Sequence, residues 1–183
     1  MRQSVTTTYL EMLSPADLRP APPGATPFQL VRAEIPCPEL NRFLYAAVGF
    51  NWWWYSRLPW TYVRWHAYLD RPELETWVAY VSGTPAGYFE LEAQDEGNVE
   101  LAYFGLMPGF IGRGLGGELL TAAIRRAWAM DARRVWVHTC TLDHPRALPS
   151  YEARGFRIYR VETKDEDLPD APLEPWAGAG PVE

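Results

Sequence analysis

The run from Asn98 to Ala129, NVELAYFGLMPGFIGRGLGGELLTAAIRRAWA, restricts the fold more than any other part of the chain. Apolar residues up to Leu106 give way to Pro108 and Gly109, then to a glycine-rich turn, then to an amphipathic stretch with helical spacing. A strand that passes through such a turn into a helix leaves the first backbone N–H groups of the helix without intrahelical partners. The helix dipole adds partial positive charge at the same place. An anion such as phosphate fits there. Gly112, Gly114, Gly116 and Gly117 carry no Cβ and let the anion approach the chain.

Two common uses of such a turn are excluded by the residues. A P-loop requires Lys and then Ser or Thr after its last glycine, whereas Gly117 is followed by Glu118 and Leu119. A Rossmann fingerprint requires the spacing G-x-G-x-x-G and an acid at the end of the next strand. Here Gly112-Arg113-Gly114-Leu115-Gly116-Gly117 is spaced differently, and no acid ends the segment Val135 to Thr139.

The turn does resemble the phosphate loop of the GNAT superfamily of acyl-CoA N-acyltransferases, [Q/R]-x-x-G-x-[G/A] after a strand ending near x-P. The matching residues are Ile111-Gly112-Arg113-Gly114-Leu115-Gly116, preceded by Leu106-Met107-Pro108. A second block of that family, N-x-x-A-x-x-x-Y-x-x-x-G-F, resembles His144 to Phe156, with Ala147, Tyr151, Gly155 and Phe156 in register. The resemblance spans residues 75–163 and reaches the first seventy only in outline. Two positions depart from the pattern: Ile111 replaces Gln or Arg, and His144 replaces Asn. The first removes a side-chain donor and leaves the amides; the second puts one pantetheine contact in doubt.

The resemblance implies an α/β (α+β) fold: a mixed, mostly antiparallel central sheet with helices on both faces, splayed between the fourth and fifth core strands. It implies acetyl-CoA as cosubstrate, held by Leu106, Met107, Ile111, Gly112, Arg113, Gly114, Leu115, Gly116, Gly117, His144 and Arg146. Backbone groups near Leu106 and Met107 would bond the pantetheine arm, with Gly105 permitting a bulge, and an N–H near Leu106 would meet the acyl carbonyl. Arg113 and Arg146 either meet phosphates or are solvated.

Composition agrees with one domain. The chain has 183 residues, 48% of them hydrophobic, enough for one sizeable core. A net charge of −6 argues against nucleic acid as the main partner and mildly favours cationic substrates. The expected organisation is one domain over 1–163 and an acidic Pro/Gly-rich tail over 164–183, in which Trp176 could act as an anchor. No apolar run is long enough to span a membrane and no basic-then-apolar leader is present, so the expectation is a cytoplasmic protein. Cys37 and Cys140 lie far apart, without metal-like spacing, and read as free thiols.

Patterning predicts strands at Thr6–Met12 and Phe28–Ala33, then helices at Glu39–Val48 and Thr61–Leu69. A hairpin of Thr76–Val81 and Gly87–Ala93 follows, then the strand before the glycine loop, a helix at Gly114–Met130 and a return strand at Arg134–Cys140. A short helix at Pro145–Ala153 and a last strand at Phe156–Thr163 complete the sheet.

Acyl transfer to an amine needs a group that takes the ammonium proton and one that protonates the leaving thiolate. Glu100, eleven positions before Ile111, stands where some family members carry a base; its other reading is a solvated Glu near a strand start. Glu90 and Glu92 share one strand face, either joining Glu100 to attract a cation or, the favoured reading, forming an exposed polar face. Tyr151 falls where the family's tyrosine reaches the CoA sulfur, and its phenol can donate at neutral pH. The segment Phe50-Asn51-Trp52-Trp53-Trp54-Tyr55, with Trp60, Tyr62, Trp65 and Tyr68, falls where the acceptor is covered in the family. Most of these rings should be core and one or two should line a pocket.

The leading expectation is an N-acetyltransferase moving acetyl from acetyl-CoA to a primary amine, on a small molecule or a peptide, by direct attack in a ternary complex. The alternative is a non-catalytic acyl-CoA-binding sensor or interaction module. No nucleic-acid or membrane partner is expected, and the resemblance allows a homodimer built through sheet edges or final strands.

Overall fold

The computed structural model describes residues 1–24 and 26–170. Its strands are β1 (Arg2–Met12), β2 (Gln29–Ala33), β3 (Leu74–Val81), β4 (Thr84–Gln94), β5 (Asn98–Leu106), β6 (Arg134–Cys140) and β7 (Arg157–Asp167). Its helices are α1 (Pro38–Gly49), α2 (Tyr62–Leu69), α3 (Leu115–Trp128) and α4 (Ala147–Ala153). The strands form one sheet in the order β2-β3-β4-β5-β6-β1-β7. All neighbours are antiparallel except β5 and β6, the pair joined by the α3 crossover.

Helices cover both faces, as the resemblance implies. On one face the α3 stripe Leu119, Leu120, Ala123, Ile124 and Ala127 packs on Leu10, Phe89, Leu91, Val99, Val135 and Val137, and Tyr151 and Phe156 close the same core. On the other, α1 buries Leu44, Tyr45 and Val48 over Val78 and Tyr88, while α2 buries Trp65 and Leu69. Local chemistry sets these helix starts. Pro38 opens α1 with a ring already at helical φ, and the Thr61 hydroxyl accepts from the Arg64 amide at 3.3 Å.

The sheet opens at one place. β5 and β6 are in parallel register only at Asn98–Arg134, Val99–Val135 and Glu100–Trp136; beyond Glu100 they part. These are the strands counted above as fourth and fifth of the core.

Three details differ from the expectations. β1 begins at Arg2 rather than Thr6 because Arg2–Val5 pair with the end of β7, while β6 meets β1 only from Thr7 to Met12, so hydrogen bonding to one neighbour holds a polar run with no apolar pattern of its own. For the same reason β7 continues past Thr163: Lys164, Asp165, Glu166 and Asp167 pair with Val5, Ser4, Gln3 and Arg2. The first residues assigned to the tail are therefore strand, while Trp176 lies outside the described residues. Finally, the irregularity in β5 is not at Gly105. The register slips opposite Glu90 and Leu91, at Ala102, whereas a Cβ on Gly105 would stand 2.4 Å from Val48 Cγ1. Gly105 makes room for α1.

Candidate active site

The glycine turn is built by backbone geometry. A single 3₁₀ turn at Pro108–Phe110 leads to Gly112 at φ +84° and Gly114 at φ +81°, left-handed conformations that glycine adopts freely. Gly114 is the N-cap of α3, with no side-chain cap. The amides at the start of α3 therefore face outward. The glycines do not share one task. Added Cβ atoms at Gly112 and Gly114 would meet nothing within 4 Å, whereas one at Gly117 would lie 2.9 Å from Ala21 Cβ and 3.3 Å from Arg154 Nη1. Gly117 serves packing on the segment that crosses the start of α3.

Strand alternation identifies the free backbone of β5. The Met107 amide donates to the Ala86 carbonyl at 2.9 Å, and the Met107 carbonyl accepts from Phe110 at 2.9 Å, so both groups of Met107 are occupied. With Leu106 opposite Gly87 and Phe104 opposite Phe89, antiparallel alternation turns the N–H and C=O of Leu106 and Phe104 away from β4 and into the gap beside β6. The free backbone expected at Met107 is thus found at Phe104.

One cavity of about 650 Å³ joins these pieces. Ile111, Gly112, Gly114, Gly116 and Gly117 line one end, and His144, Arg146 and Tyr151 flank it. Arg113 lies outside the lining, its guanidinium 5.1 Å above the Phe110 ring. Leu115 is buried in the core and offers only its amide. The His144 imidazole Nδ1 accepts from the Arg146 amide at 3.0 Å and packs on Trp52, with ring centroids 4.8 Å apart. Tyr151 sits edge-on to Phe104 and Phe156. Burial, with the negative charge of Asp143 as a second cause, raises its phenol above the ordinary value, so the hydroxyl remains a donor.

The other end is walled by side chains. Trp52, Trp53, Trp54 and Tyr55 all line the cavity, more than the one or two expected. They differ in their neighbours. Trp54 packs edge-on to Tyr88 and Tyr103, and Trp52 is on His144. Trp53 and Tyr55 have no ring partner among the described residues. Trp60, Trp65 and Tyr68 belong to the core, grouped around Arg57, whose guanidinium lies 4.1 Å from the Tyr68 ring and 4.2 Å from the Tyr103 ring.

Carboxylates near this end are placed unlike their sequence readings. Glu90 is not on an exposed face: it is fully buried, with Arg57 Nη1 at 2.8 Å, Asn41 Nδ2 at 3.1 Å and the Tyr68 hydroxyl at 3.0 Å. The roof of α1 and α2 over this face of the sheet buries it, and the Arg57 guanidinium compensates its charge. Glu92 is half-buried and paired with Arg71 at 2.6 Å. Glu100 does not line the cavity. It accepts from Gln94 Nε2 at 2.8 Å and lies 3.5 Å from His138 Nδ1, and it is His138 that lines the cavity. Asp143 is held by the Thr139 hydroxyl at 2.7 Å and the Cys140 amide at 3.0 Å. Glu166, assigned above to the tail, lines the cavity from β7. Period-two alternation along β6 could have signalled His138; nothing in the local sequence signals Glu166, because it depends on the pairing of the two chain ends.

The model of the Acetyltransferase (GNAT) family matches residues 38–156. No curated protein matches the chain. Among solved structures, a GCN5-related N-acetyltransferase from Kribbella flavida is 18% identical with a TM-score of 0.60, over 86% of this chain and 56% of that one. An aminoglycoside acetyltransferase from an uncultured soil metagenomic sample is 15% identical with a TM-score of 0.56, over 69% of this chain and 86% of that one. A tandem GNAT protein from the clavulanic acid biosynthesis pathway is 16% identical with a TM-score of 0.53, over 91% and 55%. The chain spans between 51% and 63% of the length of the first four solved structures it matches.

Proposed function

The chain belongs to the GNAT acetyltransferase family, and from that premise we propose that it transfers an acetyl group from acetyl-CoA to a primary amine by direct attack in a ternary complex. The observation that carries this reading is the convergence of three groups on one cavity: the uncapped amides of α3, the outward backbone of Leu106 and Phe104, and the side chain of Tyr151.

The chemistry of each group fits the task. The amides and dipole of α3 hold the diphosphate of the cosubstrate. Leu106 and Phe104 bond its pantetheine arm as a neighbouring strand would, and an N–H there meets the thioester oxygen where negative charge grows. His138 takes a proton from the acceptor ammonium so that the neutral amine can attack, with the Glu100 carboxylate behind it to orient the ring and balance its charge. Tyr151 protonates the sulfur as the C–S bond breaks. Direct attack is favoured over an acyl-enzyme because burial, with the nearby charge of Asp143, pushes the Cys140 thiol of the cavity up to about 11, leaving it a poor nucleophile at neutral pH.

Free-CoA release is the test, measured with acetyl-CoA over a panel of an arylalkylamine, spermidine, an aminoglycoside and a lysine peptide. The reading requires release that depends on amine, with none in its absence, and a Glu100→Gln variant slowed most at low pH, where the amine is most protonated. Tight acetyl-CoA binding with no release from any amine would instead establish a binding module.

A further inference from the structure

Besides the cavity described above, the fold carries a smaller one of about 330 Å³. Residues 33–36, where β2 leads to α1, and 69–72, where α2 leads to β3, line it together with Asn41, Leu74 and Thr76. Among the described residues it shares no lining residue with the larger cavity. We propose that this second cavity binds a small organic ammonium ion, a primary ammonium on a short alkyl chain.

Asn41 supports this through an orientation its neighbours force. Its Nδ2 donates to Thr76 Oγ1 at 2.8 Å and to Glu90 Oε1 at 3.1 Å, so both amide hydrogens are spent. The Glu90 carboxylate, held by Arg57, only accepts, and the amide cannot be turned the other way round. What Asn41 has left for the cavity is therefore Oδ1. That oxygen has no hydrogen-bond partner among the described residues, although Asn41 is only 2% exposed. A buried acceptor without a donor is costly, and an N–H placed in the cavity removes the cost.

Charge around Asn41 selects the sign of the ligand. Both arginines of the lining are engaged: Arg32 pairs with Glu75 at 3.2 Å, and Arg71 bonds Glu92 at 2.6 Å and the Tyr68 carbonyl at 2.9 Å. The remaining Nη2 of Arg71 is closed off from solvent, out of a ligand's reach. Glu34 and Asp70, one from each connecting segment, line the cavity and make no side-chain hydrogen bond or ion pair among the described residues. Their negative charge and the Asn41 oxygen together suit a cation that carries N–H donors. A metal ion is the poorer fit, since no three His, Cys, Asp or Glu among the described residues are placed to hold one. Ile35, 80% exposed, adds apolar surface to the lining that a short alkyl chain would cover.

The test is calorimetric titration of n-propylammonium chloride into the full chain without acetyl-CoA, at about 0.15 M salt so that diffuse surface attraction is screened. The wild type should give saturable heat. Tetramethylammonium, which has the charge without N–H donors, and 1-propanol, which has the chain without the charge, should each bind at least about tenfold more weakly. The double variant Glu34→Gln/Asp70→Asn changes two exposed side chains, so Tm and CoA affinity should hold while propylammonium affinity falls about tenfold or more. Asn41→Ala should abolish the heat and lower Tm, because Glu90 loses a donor; if that variant does not fold, the double variant decides. No saturable heat, equal binding of tetramethylammonium, or full affinity in the double variant overturns the inference, the last by placing the amine in the larger cavity. None of these measurements involves acyl transfer, so the transfer reading stands or falls separately.

Discussion

The two ends of the larger cavity are made of different material. The end proposed to hold the cofactor is main chain: amides at the start of α3, two glycines at positive φ, and the unpaired edge of β5. The acceptor end is side chain: four aromatic residues from the segment after α1, His138 and Cys140 from β6, and Glu166 from β7. A backbone site needs particular residues only where geometry excludes others, so on the proposed reading it tolerates a change such as Ile111 in place of Gln or Arg. A side-chain site depends on what supports each group from beneath, and here that support is a buried ion pair.

Removing that support should have the largest effect. Arg57 bonds the buried Glu90 at 2.8 Å and the Tyr68 hydroxyl at 2.7 Å, with the Tyr103 ring against its guanidinium. Burial alone would lower the pKa of Arg57, but the charge of Glu90 raises it, so the guanidinium stays charged. Arg57→Met leaves a carboxylate in the core without compensation, which costs about 3–5 kcal/mol, or about 10 °C of Tm in a domain of this size. Below the new Tm, calorimetry should find CoA affinity nearly unchanged and affinity for the amine that supports CoA release reduced. Parallel loss of both would mean that the two ends are not built independently.

The next effect concerns the side chain on which the cofactor end depends. Tyr151→Phe keeps the ring contacts with Phe104 and Phe156 and removes the proton donor, so kcat should fall by about a hundredfold with little change in CoA affinity or Tm. Because burial raises this phenol above its ordinary value, wild-type kcat should show no decline from its ionisation up to pH 10, and a decline below that would remove Tyr151 as the donor.

How much of this was legible beforehand follows the same division. The glycine loop, the crossover through α3 and the place of Tyr151 were readable because each is local: turn, helix period and motif lie within one short stretch. The pairing partner of β1 was not. Residues 2–5 and 164–167 carry no apolar alternation, and they become strand only by pairing with each other across the length of the chain. That pairing brings Glu166 to the cavity, so the carboxylate missed at the site and the strand end missed in the fold are one omission. Glu90 was misplaced for a related reason: period two groups it with Glu92, but only the fold supplies the Arg57 that lets it be buried.

A smaller effect separates the glycines. Gly114→Ala meets no neighbour and costs only the strain of a Cβ at φ +81°, about 1–2 kcal/mol. If the amides it positions hold the diphosphate, CoA affinity should fall by about five- to thirtyfold. Gly117→Ala presses on Ala21 at 2.9 Å and should lower Tm instead, leaving affinity less changed. The reverse assignment of the two effects would show that phosphate binding is centred one turn further into α3.

The smallest effect reads the environment of the acceptor end directly. In a Cys37→Ser background, Cys140 is the sole thiol. Burial is the main cause and Asp143 the second in pushing it up to about 11, while the amides of Leu142 and Asp143 pull weakly the other way. Only the thiolate reacts with iodoacetamide, so between pH 8 and pH 10 the alkylation rate should rise about tenfold per unit without reaching a plateau. A plateau near pH 8.5 would mean that water reaches Cys140 as freely as it reaches a peptide in solution. The cavity wall at Cys140 would then be open rather than enclosed, and the contrast between a main-chain end and a sheltered side-chain end would not hold.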